Sequence, residues 1–402
     1  MARIVIMKPI PLQEIKPGMV FDSPVFIDPN NLFVRANEPI KSSDIERLLK
    51  WGIREVLTDG KVVETKKEVQ VEGPVNVVKS RAVDLTSMRL HAEYENLRKY
   101  WSTIRNDLVT TGDVLQVNLK SLVDKKIFNN HELIEMSQKI VSHLFEVPYS
   151  LLSLQDLTIS DQPLIHHSVR AAAFGAYMAK AMNLSKPRVQ ELFFGILVMD
   201  VGMFLVPESI RRSHTAPDPE EWKSLKSHPL TGYKVLVNHA YVKTSLAVIS
   251  LQHHENYDGS GYPRQLRENQ IDLLARIAAI SDRFTALLED RYHRAGMLPY
   301  DAMRVLLGTE AGRFDPIILR AFLGAVSIYP TGSIVQLSTD ELGLVLGCSA
   351  DKPLRPLIRI LRQPNGKPNE ALEFVDLNEK PQLYIVKALT AAESGIKLVD
   401  EI

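Results

Sequence analysis

The sequence contains almost no cysteine, since Cys348 is the only one in 402 residues. No intramolecular disulfide can form, and metal sites built from several thiolates are excluded. An excess of charge is also missing, because 48 basic residues balance 48 acidic ones. Such a chain has no overall basic field for duplex nucleic acid or a membrane surface, although a local cluster of arginines could still hold a small anion.

Long hydrophobic runs are missing too. The most apolar segment, residues 192–206, contains Asp200 and stops before Pro207, so it is shorter than the roughly 20 residues of a membrane-spanning helix. The opening MARIVIMKPIPL has too short an apolar run for a signal peptide. We therefore expect a cytoplasmic protein without a membrane span, in which residues 192–206 form a buried helix.

The first two regions of the chain differ in their residue patterns. In residues 1–75, FDSPVFID and NLFVRA alternate like paired strands, SSDIERLLKWG predicts a helix and REVLTDG predicts a further strand. Residues 82–147 repeat apolar residues at helical spacing. We expect a small N-terminal α/β module followed by connecting helices, at which a homodimer could form.

The last two regions are a histidine-rich part and a strand-rich part. Residues 150–325 contain helices rich in small residues, and seven of the eleven histidines lie between His166 and His254. Residues 326–402 alternate in GSIVQLS, LGLVLGC, LIRILRQ and QLYIVKAL, which predicts a small β-rich C-terminal appendix. The expected fold is therefore mainly α, with an all-helical domain at its centre.

Two aspartates stand where an unpaired charge would be costly. Asp282 shares a helical stripe with alanines in LLARIAAISDRFTALL, and Asp200 interrupts the apolar run FFGILVMDVGMFLVP. A buried carboxylate needs a cation or several hydrogen-bond donors. For Asp282 alone, a buried salt bridge to an arginine explains the pattern as well as a metal ion does.

Four histidines are candidate metal ligands, although none is decisive alone. His253 and His254 follow the helical segment SLAVISLQ and point about 100° apart, so they can bracket a two-metal site but cannot easily share one ion. One packed core histidine and one solvated cap explain this pair equally well. His167 in an alanine-rich helix and His228 before a proline also allow structural roles. Only the combination with the two aspartates indicates a site.

The order of these six residues, together with HHENYDGSGYP at residues 253–263, resembles the HD-GYP family. Its members are all-helical HD-superfamily phosphodiesterases that hydrolyse the bacterial second messenger cyclic di-GMP. The resemblance covers residues 150–325. It implies an HD-type fold there, a role in signal transduction, and hydrolysis of cyclic di-GMP to linear pGpG, GMP or both.

The resemblance also implies two divalent metal ions, iron or manganese, with an activated water between them. Asp200 would bridge both ions as the central catalytic residue. The implied metal ligands are His167, Asp200, His228, His253, His254 and Asp282. The implied GYP loop contains Asp258, Gly259, Gly261, Tyr262 and Pro263. Arg291 and Arg294 match the basic pair that holds a substrate phosphate, a task that suits the bidentate donors of arginine.

Three positions depart from the family pattern. Met199 stands where the family has an imidazole ligand, and a thioether is a weak donor for hard divalent ions. Met203 replaces a lysine that would approach the scissile phosphate, and Pro163 stands where some members carry a glutamate for a third metal. We therefore expect a site for two metals and a phosphodiesterase of reduced activity. The alternative is an impaired receptor for cyclic di-GMP, or a scaffold whose GYP loop docks GGDEF-domain partners.

Overall fold

The computed structural model describes residues 7–28, 31–34, 36, 39–40, 45, 55–65, 85–146, 157–211, 213, 215–290, 294–347 and 354–396. The chain divides into two compact units, Met1–Ala82 and Val83–Ile402. Within the described ranges, we find no helix that combines the length and the apolar character needed to cross a membrane.

The first unit is built from short antiparallel strands. Its strands are β1 (Lys8–Pro11), β2 (Met19–Phe21), β3 (Val25–Asp28), β4 (Asn31–Val34), β5 (Glu55–Thr58) and β6 (Val62–Thr65). One sheet has the order β1-β5-β3-β4, and β2 pairs with β6. The predicted strands are confirmed, with Val25 opposite Val34 in the β3–β4 pair. Of the predicted helix SSDIERLLKWG, only Ile45 lies within the described residues.

The second unit begins with helices that continue to residue 326. They are α1 (Leu85–Lys125), α2 (Asn130–Glu146), α3 (Pro163–Ala181), α4 (Lys186–Leu197), α5 (Glu208–Arg211), α6 (Pro219–Lys226), α7 (His228–Asn238), α8 (Thr244–Gln252), α9 (Leu273–Leu288), α10 (Pro299–Leu307) and α11 (Pro316–Val326). Short 3-10 segments occur at Met199–Leu205, Glu268–Gln270 and Ala311–Arg313. The expectation of a mainly α fold with connecting helices is confirmed. The exact domain boundaries stay predictions.

Small residues allow the helices that carry the site to pack closely. A Cβ atom on Gly175 of α3 would lie 2.3 Å from the Ile196 side chain of α4 and 3.2 Å from the Ser281 hydroxyl of α9. The alanines of α3 and α9 fill the same interior, and Ala172, Ala176 and Ala278 are fully buried. The small side chains therefore bring α3, α4 and α9 together around a shared core.

The prediction of one buried helix over residues 192–206 is wrong in its second half. Helix α4 ends at Leu197, and the chain continues as the 3-10 segment Met199–Leu205. The segment packs tightly on the start of α7, since a Cβ on Gly202 would lie only 2.1 Å from the His228 carbonyl oxygen. Apolar content alone could not distinguish this arrangement from a continued α-helix.

The C-terminal part is a five-stranded antiparallel sheet with the order β10-β9-β8-β7-β11. Its elements are β7 (Ile334–Leu337), β8 (Leu342–Gly347), β9 (Leu357–Arg362), β10 (Phe374–Asp376), β11 (Ile385–Leu389) and the short helix α12 (Ala391–Ser394). The four predicted strands are confirmed, whereas β10 and α12 were not predicted. Trp101 of α1 is buried with Leu344 and Leu361, so the long helix shares a hydrophobic cluster with this sheet.

Candidate metal centre

Asp200 lies at the centre of the candidate site because the turn after α4 directs it into the interior. The residue is only 7% exposed. The Ser250 hydroxyl of α8 donates to the Met199 carbonyl oxygen at 2.6 Å, and Gly202 lets the same segment touch the start of α7. The backbone on both sides of Asp200 is therefore held by the helices that supply the neighbouring histidines.

His228 and His253 point the same ring nitrogen at Asp200. Their Nε2 atoms lie 3.3 Å and 3.5 Å from the Asp200 Oδ1 atom, and 3.2 Å from each other. The opposite nitrogens donate to backbone carbonyls, His228 Nδ1 to Leu225 at 2.7 Å and His253 Nδ1 to Ser250 at 2.8 Å. In the neutral rings this places the lone pairs on the two Nε2 atoms beside a carboxylate. Such a convergence of acceptors is stable only around a proton or a metal cation.

His254 completes a first group of ligands that includes the adjacent His253, contrary to the expectation for neighbours on a helix, because α8 ends at Gln252 before both residues. Asp200, His228, His253 and His254 each offer an atom within 4.8 Å of the others, and we call these residues the three-histidine group. Burial and the neighbouring His253 lower the pKa of His254 to about 3. His254 is therefore neutral at physiological pH, which is the form that binds metals.

A second group combines His167, Asp200 and Asp282, again with ligand atoms within 4.8 Å of one another. We call these residues the two-aspartate group. The His167 Nε2 atom lies 2.9 Å from the Asp282 Oδ1 atom. Asp282 therefore pairs with a histidine of the candidate site, and among the described residues no arginine forms an ion pair with it. Because Asp200 belongs to both groups, it has the position of a bridging carboxylate.

Glu289 is a residue of this site that the sequence did not reveal. It follows the last residue of α9, and its Oε2 atom lies 2.9 Å from the His167 Nδ1 atom. Its side chain is 14% exposed. An acid seven residues after Asp282 lies two helical turns further along the same face. That spacing is the signal in the sequence that indicates Glu289.

Neighbouring charges shift the pKa values of His167 and Asp200 in this site. Burial opposes a charge on His167, but Glu289 and the hydrogen bond to Asp282 outweigh it and raise the pKa of His167 to about 10. Burial likewise opposes the ionised form of Asp200, yet hydrogen bonds from His228 and His253 hold the pKa of Asp200 well below its usual range. Protons therefore occupy the metal-free cluster, and a metal ion must displace them.

The GYP loop holds His254 in place through backbone contacts. Buried Glu255 accepts hydrogen bonds from the backbone N–H of Arg264 at 2.7 Å and of Leu266 at 3.0 Å. The Tyr262 N–H donates to the His254 carbonyl at 3.1 Å, and the Tyr262 ring stacks on the His254 ring at 4.9 Å. The loop thus closes back on the ligand that precedes it.

Glycine is required at two points of this loop. Gly259 adopts a positive φ of 82°, and a Cβ on Gly261 would lie 2.2 Å from the Asn256 backbone nitrogen. The Asp258 carboxylate accepts from the backbone N–H and the hydroxyl of Ser260 at 2.9 Å and 2.6 Å, and Pro263 follows a cis peptide bond. The sequence DGSGYP therefore specifies a compact turn beside His254.

The positions that depart from the family pattern offer no extra ligand. Met199 is fully buried in the main hydrophobic cluster, and Met203 is partly buried in the same 3-10 segment. Pro163 is the first residue of α3. Arg294 donates to the carbonyls of Ala286 at 2.6 Å and Leu287 at 2.9 Å at the end of α9, and Arg291 lies outside the described residues. Phosphate binding by the two arginines stays a prediction.

A lysine and two aromatic rings line the surface beside the GYP loop. The Lys226 ammonium lies 5.6 Å from the Tyr262 ring centroid and 5.8 Å from that of Trp222, which is 48% exposed. Within the described part of the chain, no carboxylate pairs with Lys226. A positive charge is therefore held next to Tyr262, whose ring also stacks on the candidate ligand His254.

The comparisons with known proteins agree with this geometry. Residues 153–318 match the family model of the HD domain, and residues 334–396 match that of the KOW domain associated with HD domain. Residues 153–318 of the helical region are therefore an HD domain. This match confirms the HD-type fold of the region and, with HHENYDGSGYP inside it, the resemblance to the HD-GYP family.

Two curated relatives cover much of the chain. The cyclic di-GMP phosphodiesterase PA4108 of Pseudomonas aeruginosa is 32% identical over 65% of this chain and 62% of its own length. The cyclic di-GMP phosphodiesterase PdeB of Borreliella burgdorferi is 25% identical over 58% of this chain and 59% of its own length. The chain thus spans about three fifths of the length of these relatives. The solved structure of Bd1817, a HDG"Y"P protein from Bdellovibrio bacteriovorus, is 17% identical over 79% of this chain and 98% of its own, with a TM-score of 0.46.

Proposed function

We propose that the chain is a metal-dependent phosphodiesterase that hydrolyses cyclic di-GMP to linear pGpG, GMP or both. The observation that carries the proposal is the convergence of two histidine Nε2 atoms on one Asp200 oxygen, while both Nδ1 atoms donate to backbone carbonyls. Histidines fixed at one nitrogen by such an outer partner are typical of metal ligands. The names of the two curated relatives support the choice of substrate.

The residues present fit two divalent ions, which we propose to be iron or manganese. Asp200 would contact both, His228, His253 and His254 would complete one position, and His167 and Asp282 the other. The set of imidazoles and carboxylates permits these metals without selecting between them. When bound, the ions would offset negative charge on the phosphoryl oxygens and make a water nucleophilic near neutral pH.

The chain itself would bind and orient the substrate. Lys226 would contribute a cation beside the three-histidine group, in place of the lysine that Met203 replaces. Lys226 lies two residues before His228, and its ammonium is 5.6 Å from the ring centroid of Tyr262, which stacks on His254. Arg291 and Arg294 would hold a second phosphate oxygen through bidentate donors.

We also propose that hydrolysis is slower than in a complete HD-GYP site. Met199 leaves the two-aspartate group without the imidazole that the family pattern supplies, and its buried side chain packs with apolar residues. Met203 removes one cation near the reacting phosphate. Losing a single transition-state partner typically costs about 10²- to 10³-fold in rate, so both changes are expected to be felt.

A second candidate function follows from the same two methionines. The chain could bind cyclic di-GMP without hydrolysis, or use the GYP loop to dock a GGDEF-domain partner. The ordered loop favours this candidate, because Glu255 fixes it through contacts that need no metal. A homodimer through the connecting helices also stays a prediction.

Anaerobic metal analysis combined with a turnover assay distinguishes the two candidates. The protein is purified without oxygen, its iron and manganese are counted, and cyclic di-GMP is supplied beside other cyclic dinucleotides. We expect about two ions per chain, with slow formation of pGpG or GMP. Tight binding of cyclic di-GMP without metal or turnover would instead support the receptor. Faster turnover of another nucleotide would correct the substrate.

A further inference from the structure

The three buried histidines whose Nδ1 partner is known are not held in the same way. His228 and His253 donate through Nδ1 to the carbonyls of Leu225 and Ser250, which lie in their own chain segments. His167 instead faces a side chain from another element, since its Nδ1 atom lies 2.9 Å from Glu289 Oε2. The partner of His167 therefore carries a charge and can be changed by one substitution.

The two acids that hold His167 come from one end of one helix. Asp282 belongs to α9, and Glu289 is the first residue after the end of this helix. Their carboxylates lie 2.9 Å from the two opposite nitrogens of the His167 ring. The helices that carry this arrangement pack closely, because Gly175 of α3 lies against Ser281 of α9. The ring is thus held between the two carboxylates, one at each nitrogen.

A carboxylate behind a ligating histidine has a defined effect on metal binding. Glu289 keeps the proton on Nδ1, so that the metal-facing lone pair is on Nε2. The negative charge also makes the ring a stronger donor than a backbone carbonyl would. Both effects act on the two-aspartate group, the position that lost an imidazole to Met199.

We propose that Glu289 is a positioning residue that tunes metal binding at the two-aspartate group through His167, and so offsets part of the loss caused by Met199. The inference rests on the proposed metal site, but not on hydrolysis of any particular substrate. It assigns Glu289 no contact with the metal, because Glu289 Oε2 meets Nδ1 of His167, whereas Nε2 of the same ring faces Asp282.

The test is a titration of the metal-free full chain with Mn²⁺. Binding is measured as the decrease in the EPR signal of the free ion. Glu289→Gln keeps the size and an acceptor oxygen but removes the charge. We expect Mn²⁺ binding at the weaker of the two positions to fall about 10-fold or more, with the tighter position unchanged. Asp290→Asn is the matched control, because Asp290 is the next residue and binds the Gly296 N–H instead.

A double-mutant cycle separates positioning from a general structural effect. Glu289→Gln is repeated in a His167→Ala background, where a residue acting through His167 should cost no further affinity. Circular dichroism confirms that each variant is folded. A loss in wild type that vanishes in the His167→Ala background supports the proposal.

Two results would overturn it. An equal loss in both backgrounds means that Glu289 acts without His167, and unchanged binding in the single variant means that its charge is not needed. If the wild-type chain binds no Mn²⁺ or iron at all, the proposed metal function fails first and this inference with it. Normal wild-type binding with an unaffected Glu289→Gln variant removes the inference alone.

Discussion

The two ligand groups around Asp200 are oriented by different parts of the chain. In the three-histidine group, His228 and His253 are fixed by backbone carbonyls, whereas His167 of the two-aspartate group is fixed by the Glu289 side chain. A carbonyl partner is present whatever the sequence, provided that the helix end is kept. A side-chain partner can be gained or lost by one substitution, so the two-aspartate group is the half of the site that can be tuned.

The two ligand groups also differ in how many residues of the family pattern they have lost. The three-histidine group retains all the ligands that the family pattern implies, and the GYP loop supports His254 directly. The changes at Met199 and Pro163 both concern the side of the site that includes His167. We infer that the two groups differ in affinity for metal, which the following predictions can confirm or contradict.

Removing Asp200 should have the largest effect, since both groups share it. Asp200→Asn keeps the shape of the side chain but removes the negative charge between the His228 and His253 rings. We expect the loss of metal at both positions and a fall in hydrolysis of at least about 10³-fold. Metal content and turnover are measured on the same sample, with exposed Asp161→Asn as the control. Retention of one ion at full occupancy would show that Asp200 does not bridge the groups.

Restoring the two replaced residues should have the next largest effect, in the opposite direction. Met199→His together with Met203→Lys is expected to raise cyclic di-GMP hydrolysis about 100-fold, and each single change should help less. Met199 is fully buried, so the new imidazole must bind metal or be costly to bury. The melting temperature is therefore measured beside the rate. A folded double variant with two metals and no faster turnover would favour the receptor.

The sequence indicates the six candidate ligands, but it does not indicate the hydrogen-bond partners that orient them. HHENYDGSGYP indicated both the histidine pair and the turn, because glycines with fixed spacing are required where Gly259 has a positive φ and Gly261 approaches the Asn256 backbone. The carbonyl partners of His228 and His253 could not be predicted, since every residue has a carbonyl and only the helix ends decide which one faces the ring.

Other misses have the same physical origin. The apolar run at residues 192–206 looked like one helix, but contact between Gly202 and the His228 carbonyl requires the 3-10 segment. The sequence does not pair Glu289 with His167, because the two residues are distant in sequence and become adjacent only after α3 and α9 pack. Local patterns specify elements and motifs, whereas long-range contacts specify the partners of each ligand.

A smaller effect is expected for the order in which the two ligand groups fill with metal. At limiting Mn²⁺ or iron, the three-histidine group should fill before the two-aspartate group, because it keeps all its implied ligands. Crystals grown at several metal concentrations would show anomalous scattering first beside His228, His253 and His254. Equal scattering at both positions throughout would mean that water or another side chain replaces the missing imidazole, and would remove the main reason to expect slow hydrolysis.

The smallest effect is expected at the surface beside the three-histidine group. Lys226→Met removes the ammonium near the Tyr262 and Trp222 rings but leaves the metal ligands in place. Because an exposed charge is screened by water, the KM for cyclic di-GMP should rise only about two- to fivefold, with metal content and kcat nearly unchanged. Lys223→Met is the matched control, since Lys223 lies one turn earlier in α6 and faces Glu220. If Lys226→Met lowers kcat and leaves KM unchanged, the lysine acts on the reacting phosphate and not on binding. If both variants behave like wild type, Lys226 does not contact the substrate, and the charge lost at Met203 has no replacement on this side of the site.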